Sequence, residues 1–297
     1  QNSSILASGA DGGEVQIISM NGTVSLVNTV VQTNGGEGRG GAISVAGLQS
    51  TILSGSTLEA TGINQGGKIL IGNDAKNGTL PFSAHASLDA LTVLNAQALN
   101  PSSNLGGFIE TSGHILDQLA KINAGRGGMW LIDPYDFVID SSNVAAIIAA
   151  LNTQNVTITT SASSVTGASS VTGTSSANGD ITISTPIYSF STNSLTLSAA
   201  RNININAEII LNGAFSATAP TLISINANVS TNGAQTYTGP VNIASDVTLD
   251  TTFGIRTDTY NYSASAQSGS YAGAVLVELN GASGGAGGKD GSSTGQA

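Results

Sequence analysis

The sequence predicts an all-β fold, a parallel β-solenoid with one short α-helix on its flank, and three observations point there. Apolar segments recur with the period of a solenoid coil, paired glycines stand ahead of alternating apolar runs, and strong helix formers are sparse. Of 297 residues, 38 are Gly and only 9% are charged, where soluble domains carry about 7% glycine and about 25% charge. With 40% hydrophobic residues and a mean hydropathy of +0.16, the chain has enough apolar surface to fold. No strict Gly-X-Y triplet runs through it, which excludes collagen.

In the first half the coil markers are Gly12-Gly13 before Val15 and Ile17, Gly40-Gly41 before Ile43 and Val45, and Gly66-Gly67 before Ile69 and Ile71. Gly106-Gly107 before Ile109 and Gly127-Gly128 before Trp130 and Ile132 continue the series. The steps are 28, 26, 40 and 21 residues, and the step of 40 reads as two coils. Next, Asp140-Ser-Ser-Asn supplies N-cap candidates, and Val144, Ile147, Ile148 and Leu151 fall on one helical face, so a short helix is expected against the solenoid flank. A Ser/Thr-rich excursion is expected near 161–178.

In the second half, Ile205-Asn-Ala-Glu-Ile-Ile-Leu-Asn-Gly-Ala214 aligns with Ile225-Asn-Ala-Asn-Val-Ser-Thr-Asn-Gly-Ala234 at an offset of 20, with six of ten positions identical. The same pattern begins at Ile183 and at Ile243, in steps of 22, 20 and 18, so these four isoleucines are expected in one inward column. The solenoid is assigned to residues 1–279 and a flexible Gly/Ser-rich tail to 280–297. At about 4.8 Å per coil, roughly 12 coils make a rod on the order of 60 Å long.

Composition also narrows function. Eight basic against 18 acidic residues give a net charge of −10, and no basic cluster tracks a phosphate backbone, so nucleic acid is excluded as a partner. Without cysteine there is no disulfide scaffold, thiolate metal site or thiol catalysis. The longest apolar stretch, Val144 to Leu151, falls far short of the roughly 20 residues that span a bilayer.

The segment Gly127-Gly-Met-Trp-Leu-Ile-Asp-Pro-Tyr-Asp-Phe-Val-Ile-Asp140, with the helix and Asn155-Val-Thr-Ile-Thr-Thr160 after it, resembles the shaft of filamentous-haemagglutinin-like exoproteins of bacterial two-partner secretion. Leu195 to Asn206 and Gln235 to Ile243 echo the same family, and the resemblance spans roughly residues 10 to 260. It implies a right-handed parallel β-helix, export through a dedicated outer-membrane transporter, and an adhesin on the bacterial surface, secreted and rod-like, monomeric, and attached to a host-cell or matrix receptor or glycan. The Asn-Pro-Asn motifs of the family's secretion domain do not occur: Asn100-Pro101 continues with Ser102. The chain is therefore read as a shaft or C-terminal portion, and transporter recognition is assigned to none of its residues.

Candidate sites are few. Asp133, Asp136 and Asp140 lie within eight residues and are the sort of carboxylate cluster Ca²⁺ prefers, although Asp133-Pro134 also initiates a turn and Asp140 can cap the helix. Gly284 to Asp290 resembles a single Ca²⁺-binding nonapeptide, with Lys289 where an Asp belongs. No resident cofactor is expected. A polysaccharide-cleaving β-helix enzyme is the catalytic alternative, with Asp133, Asp136, Arg126 and His114 as its residues, and a passive spacer is the inert one. His85 and His114 have no partner at metal-ligand spacing. Met129 and Trp130 are expected to plug the core. Tyr260, Tyr262 and Tyr271, in the less regular stretch 254–279, are the ligand-binding candidates, with closure of the solenoid as their other reading.

Overall fold

The structure is a computed structural model that describes residues 3–74, 78, 80–161 and 178–252, together with the backbone of 261–262 and 275–280. Strands stack in parallel on three sides of a β-helix. The first side is continuous: Glu14–Ser19, Ala42–Gly47, Lys68–Ile71, Phe108–Gly113, Met129–Pro134, Asn155–Thr159, Leu195–Ser198, Phe215–Thr218 and Gln235–Gly239 each pair in parallel with the next. The glycine pairs thus mark the turn into this side, as the sequence predicts. The last of these strands is covered by Val275–Asn280, which runs antiparallel to it.

Lys68 pairs directly with Phe108, so the 40-residue step is one coil and not two. The extra length lies in two long connections, 72–84 and 96–107. The second long step, from Val156 to Leu195, is likewise one coil. Among the described residues the first side has nine parallel strands where roughly 12 coils were expected of the chain, and at about 4.8 Å apart they form a stack about 40 Å long.

Alternation along each strand sends every second side chain inward. One inward column runs Val15, Ile43, Ile69, Ile109, Trp130, Val156, Leu195 and Phe215, and all of these are buried in a single cluster. Trp130 is fully buried and its indole Nε1 donates to Thr111 Oγ1 at 3.0 Å. Met129, expected beside it in the core, instead faces outward, because adjacent strand residues must point to opposite sides. The column ends on Gln235, whose Nε2 donates to the Val229 and Asp250 carbonyls while its Oε1 accepts from the Tyr237 hydroxyl.

Ile183, Ile205, Ile225 and Ile243 stand in register as expected. The first three are fully buried; Ile243 is the last rung and is 40% exposed.

The other two sides break in the middle of the molecule. On the second, Ile115–Gln118 ends one sheet and Phe137–Ile139 begins another. On the third, the break between Lys121–Asn123 and Ile187–Ser189 is filled by the helix Val144–Leu151, which packs on both strands. The helix is therefore part of a coil and not an addition to the flank, with Ile147, Ala150 and Leu151 buried in the common core. Its N-cap is Asn143, which makes no side-chain cap bond. Asp140, an expected cap, accepts from the Ser142 backbone N–H at 2.8 Å and shapes the turn before the helix. Gln154 ties the C-terminal end to the preceding coil by accepting from Ala124 N–H at 2.8 Å, and Asn193 Nδ2 ties it to the following coil through the Leu151 carbonyl at 2.8 Å.

Candidate functional site

The corner between the first and second sides holds His114, Asp133 and Asp136, and each has partners of its own. Asp133 faces outward on its strand yet is only 3% exposed, and its Oδ1 accepts from Ser161 Oγ at 3.1 Å. Burial raises its carboxyl from 3.8 to about 6, against the opposite pull of the Ser161 hydroxyl. Asp136 is exposed and its Oδ1 accepts the Gly179 and Asp180 backbone N–H groups at 2.8 Å each. Asp140 is occupied by Ser142. Asp133 and Asp136 thus hold the two ends of one connection, 160–180, and Asp140 shapes the turn before the helix. Among the described residues no group of three His, Cys, Asp or Glu side chains is placed to hold a metal ion.

His114 stacks on Tyr135 with ring centroids 4.1 Å apart, and Phe82 meets it edge-on at 4.6 Å. Burial pushes the His114 imidazole below its ordinary value and the Tyr135 phenol above its own. Arg126 stands at the far end of the strand Met129–Pro134 from this cluster, about 20 Å of extended chain away. His85 bonds the exposed Asp117 carboxylate at 2.7 Å. Tyr260 and Tyr271 lie outside the described residues, as do the Ca²⁺-like tail segment 284–290 and residues 162–177 of the excursion; Tyr262 is described only as backbone.

The feature that the sequence did not reveal as a site is at the glycine corner. There an open groove of about 780 Å³ crosses five coils along the stacking axis. Its floor is the glycine pairs. They are glycine because of coil-to-coil contact: a Cβ on Gly40 would lie 2.0 Å from the Ala60 carbonyl oxygen, and one on Gly66 would lie 2.0 Å from that of Ala96. The floor N–H groups are already used, since Gly12, Gly40, Gly66 and Gly106 donate to the carbonyls of Arg39, Gln65, Leu105 and Arg126 at 2.8 to 2.9 Å.

Recognition must then come from side chains. One wall is the in-register column Glu14, Ala42, Lys68, Phe108 and Met129. The other is built from the residues just before each glycine pair, among them Arg39 and Gln65, with exposed Arg126 in the equivalent place of the fifth coil. Lys68 Nζ lies 3.9 Å from the buried Asp74 carboxylate. Such a groove can hold an extended chain.

Comparison of the chain with protein-family models, with characterised proteins and with solved structures returned no match.

Proposed function

We propose that this chain is a structural and adhesive β-helical segment of a secreted bacterial surface exoprotein, attaching to cells, surfaces or matrix, with no reaction of its own. The observation that supports it most is the uninterrupted first side of nine parallel strands, which presents rows of Asn, Thr and Ser side chains from Asn155–Thr159 onward and one open groove over its first five coils. The engagement of Asp133 by Ser161 and of Asp136 by the Gly179 and Asp180 N–H groups, with Arg126 at the other end of the strand, favours binding over cleavage, as does the resemblance of residues 127–160 to adhesin shafts. Export through a two-partner outer-membrane transporter belongs to the same reading.

Adhesion of beads coated with the purified chain to epithelial cells and to extracellular matrix tests it. Retention well above albumin-coated beads is expected; retention equal to albumin on every surface contradicts it and leaves a passive spacer.

A further inference from the structure

We propose that the outer surface of the first side, from Asn155–Thr159 to Gln235–Gly239, binds ice, a crystalline lattice of water met by a two-dimensional array of hydroxyls. This goes beyond the adhesive reading, because it needs neither a cell nor a matrix receptor.

The array follows from register. Thr157, Thr196, Ser216 and Thr236 pair in line across four strands, and Thr159, Ser198, Thr218 and Thr238 form a second line beside them. Alternation turns all eight outward and at least partly into solvent, while their neighbours along each strand are buried. Hydroxyls therefore repeat about every 4.8 Å from strand to strand and about every 6.6 Å along each strand. Direct pairing without stagger makes the grid rectangular. Water oxygens on the prism face of hexagonal ice also repeat along two perpendicular directions, at distances close to these. The array spans these four strands, about 14 Å from first to last; Leu131 pairs with Thr157 on one side, and Leu276 and Glu278 stand opposite Thr238 and Thr236 on the other.

Three properties select a water lattice over other flat partners. The four strands carry no charged residue, in a chain with 18 acidic and eight basic ones, so nothing on them calls for an ion. Their aromatic rings, Phe215 and Tyr237, are buried in the core, which leaves no platform on which a sugar ring could stack. Among the described residues none of the eight hydroxyls is tied to another protein group, whereas Thr160, just past the array, donates to the Gly179 carbonyl at 2.9 Å. Each hydroxyl keeps one donor and its acceptor capacity for water. Six of the eight are threonine, whose β-branched side chain is stiff, and the ladder beneath fixes every backbone position. The array is ordered before it binds, so meeting a rigid crystal costs it little freedom.

Slow growth of ice from a dilute solution of the full chain tests this, with protein measured in the melted ice and in the remaining liquid. Enrichment in the ice well above that of albumin is expected. Thr196→Tyr raises a ring in the middle of the array and holds ice away from the hydroxyls around it. Losing one or two hydrogen bonds of ordinary net worth corresponds to a roughly ten-fold weakening, and enrichment falls accordingly. Thr218→Tyr is expected to do the same; both rings lie outside the core, and an unchanged melting temperature verifies the fold. Ser230→Tyr, at an outward position of the third side, leaves enrichment unchanged. Exclusion of the wild-type chain from ice to the extent of albumin, equal enrichment of the two array variants, or an equal loss in Ser230→Tyr overturns the proposal. So does exclusion from ice together with retention on crystalline cellulose, which would make the partner a sugar lattice. Wild-type beads that adhere to cells while the chain stays out of ice would remove this proposal and leave the adhesive reading standing.

Discussion

Gly40 shows how one residue type sets the coil spacing. A methyl group there meets the Ala60 carbonyl oxygen at 2.0 Å, and backbone on both sides leaves it nowhere to go. Gly40→Ala is expected to cost about 3 kcal/mol, at the upper end of overpacking penalties, read as a lowered urea midpoint. Asp133 offers a second, pH-dependent reading. Its folded-state value of about 6 exceeds the 3.8 of an ordinary aspartate, so between those pH values the folded form binds more protons than the unfolded one. Stability contributed by the protonated form is present below pH 3.8 and is lost as pH rises through 6. Asp133→Asn, which cannot ionise, is therefore expected to match wild type near pH 4 and to exceed it at pH 7 by about 2 kcal/mol. Equal urea midpoints of the two proteins at pH 7 would contradict the burial of that carboxyl.

At the scale of elements, the helix Val144–Leu151 tests how a solenoid tolerates replacing a strand. Ile147 is fully buried between coils, whereas Ala149 is exposed. Ile147→Ala is expected to cost about 3 kcal/mol in thermal unfolding, and Ala149→Ser less than about 0.5 kcal/mol. Equal losses would mean that the helix lies outside the core. Its existence was legible in the spacing of Val144, Ile147, Ile148 and Leu151, because the helical period of apolar residues is a local property. Its place in the coil was not, since periodicity says which face is apolar but not which strands that face meets. The same limit explains Met129: its apolar character suggested the core, while strand alternation beside Trp130 sends it to the groove.

For the whole molecule, the repeat of Ile183, Ile205, Ile225 and Ile243 made the parallel stack legible, since equal steps place like residues in register. The groove stayed hidden for a related reason. Reading Gly66 to Gly106 as two coils separated the walls that direct pairing of Lys68 with Phe108 brings into line. The aspartates, conversely, read as one carboxylate cluster, yet each already has its partners: Asp133 and Asp136 hold the two ends of the connection 160–180, and Asp140 shapes the turn before the helix. Continuity of the stack predicts that a charge inserted anywhere along it is felt by neighbouring coils. Ile205→Asp is expected to lower stability by several kcal/mol, about 3 or more, because an unpaired carboxylate enters a column buried on both sides. A thermal midpoint within experimental error of wild type would contradict the inward column.

The central claim is that this β-helix binds without cutting. The direct measurement is to incubate beads coated with the chain with epithelial cells and extracellular matrix and follow, in one vessel, the beads retained and the new reducing ends or unsaturated sugar products released. Retained beads with no products above a protein-free control are the expected result. Products that accumulate in proportion to the chain, and that disappear in Asp133→Asn, would contradict it.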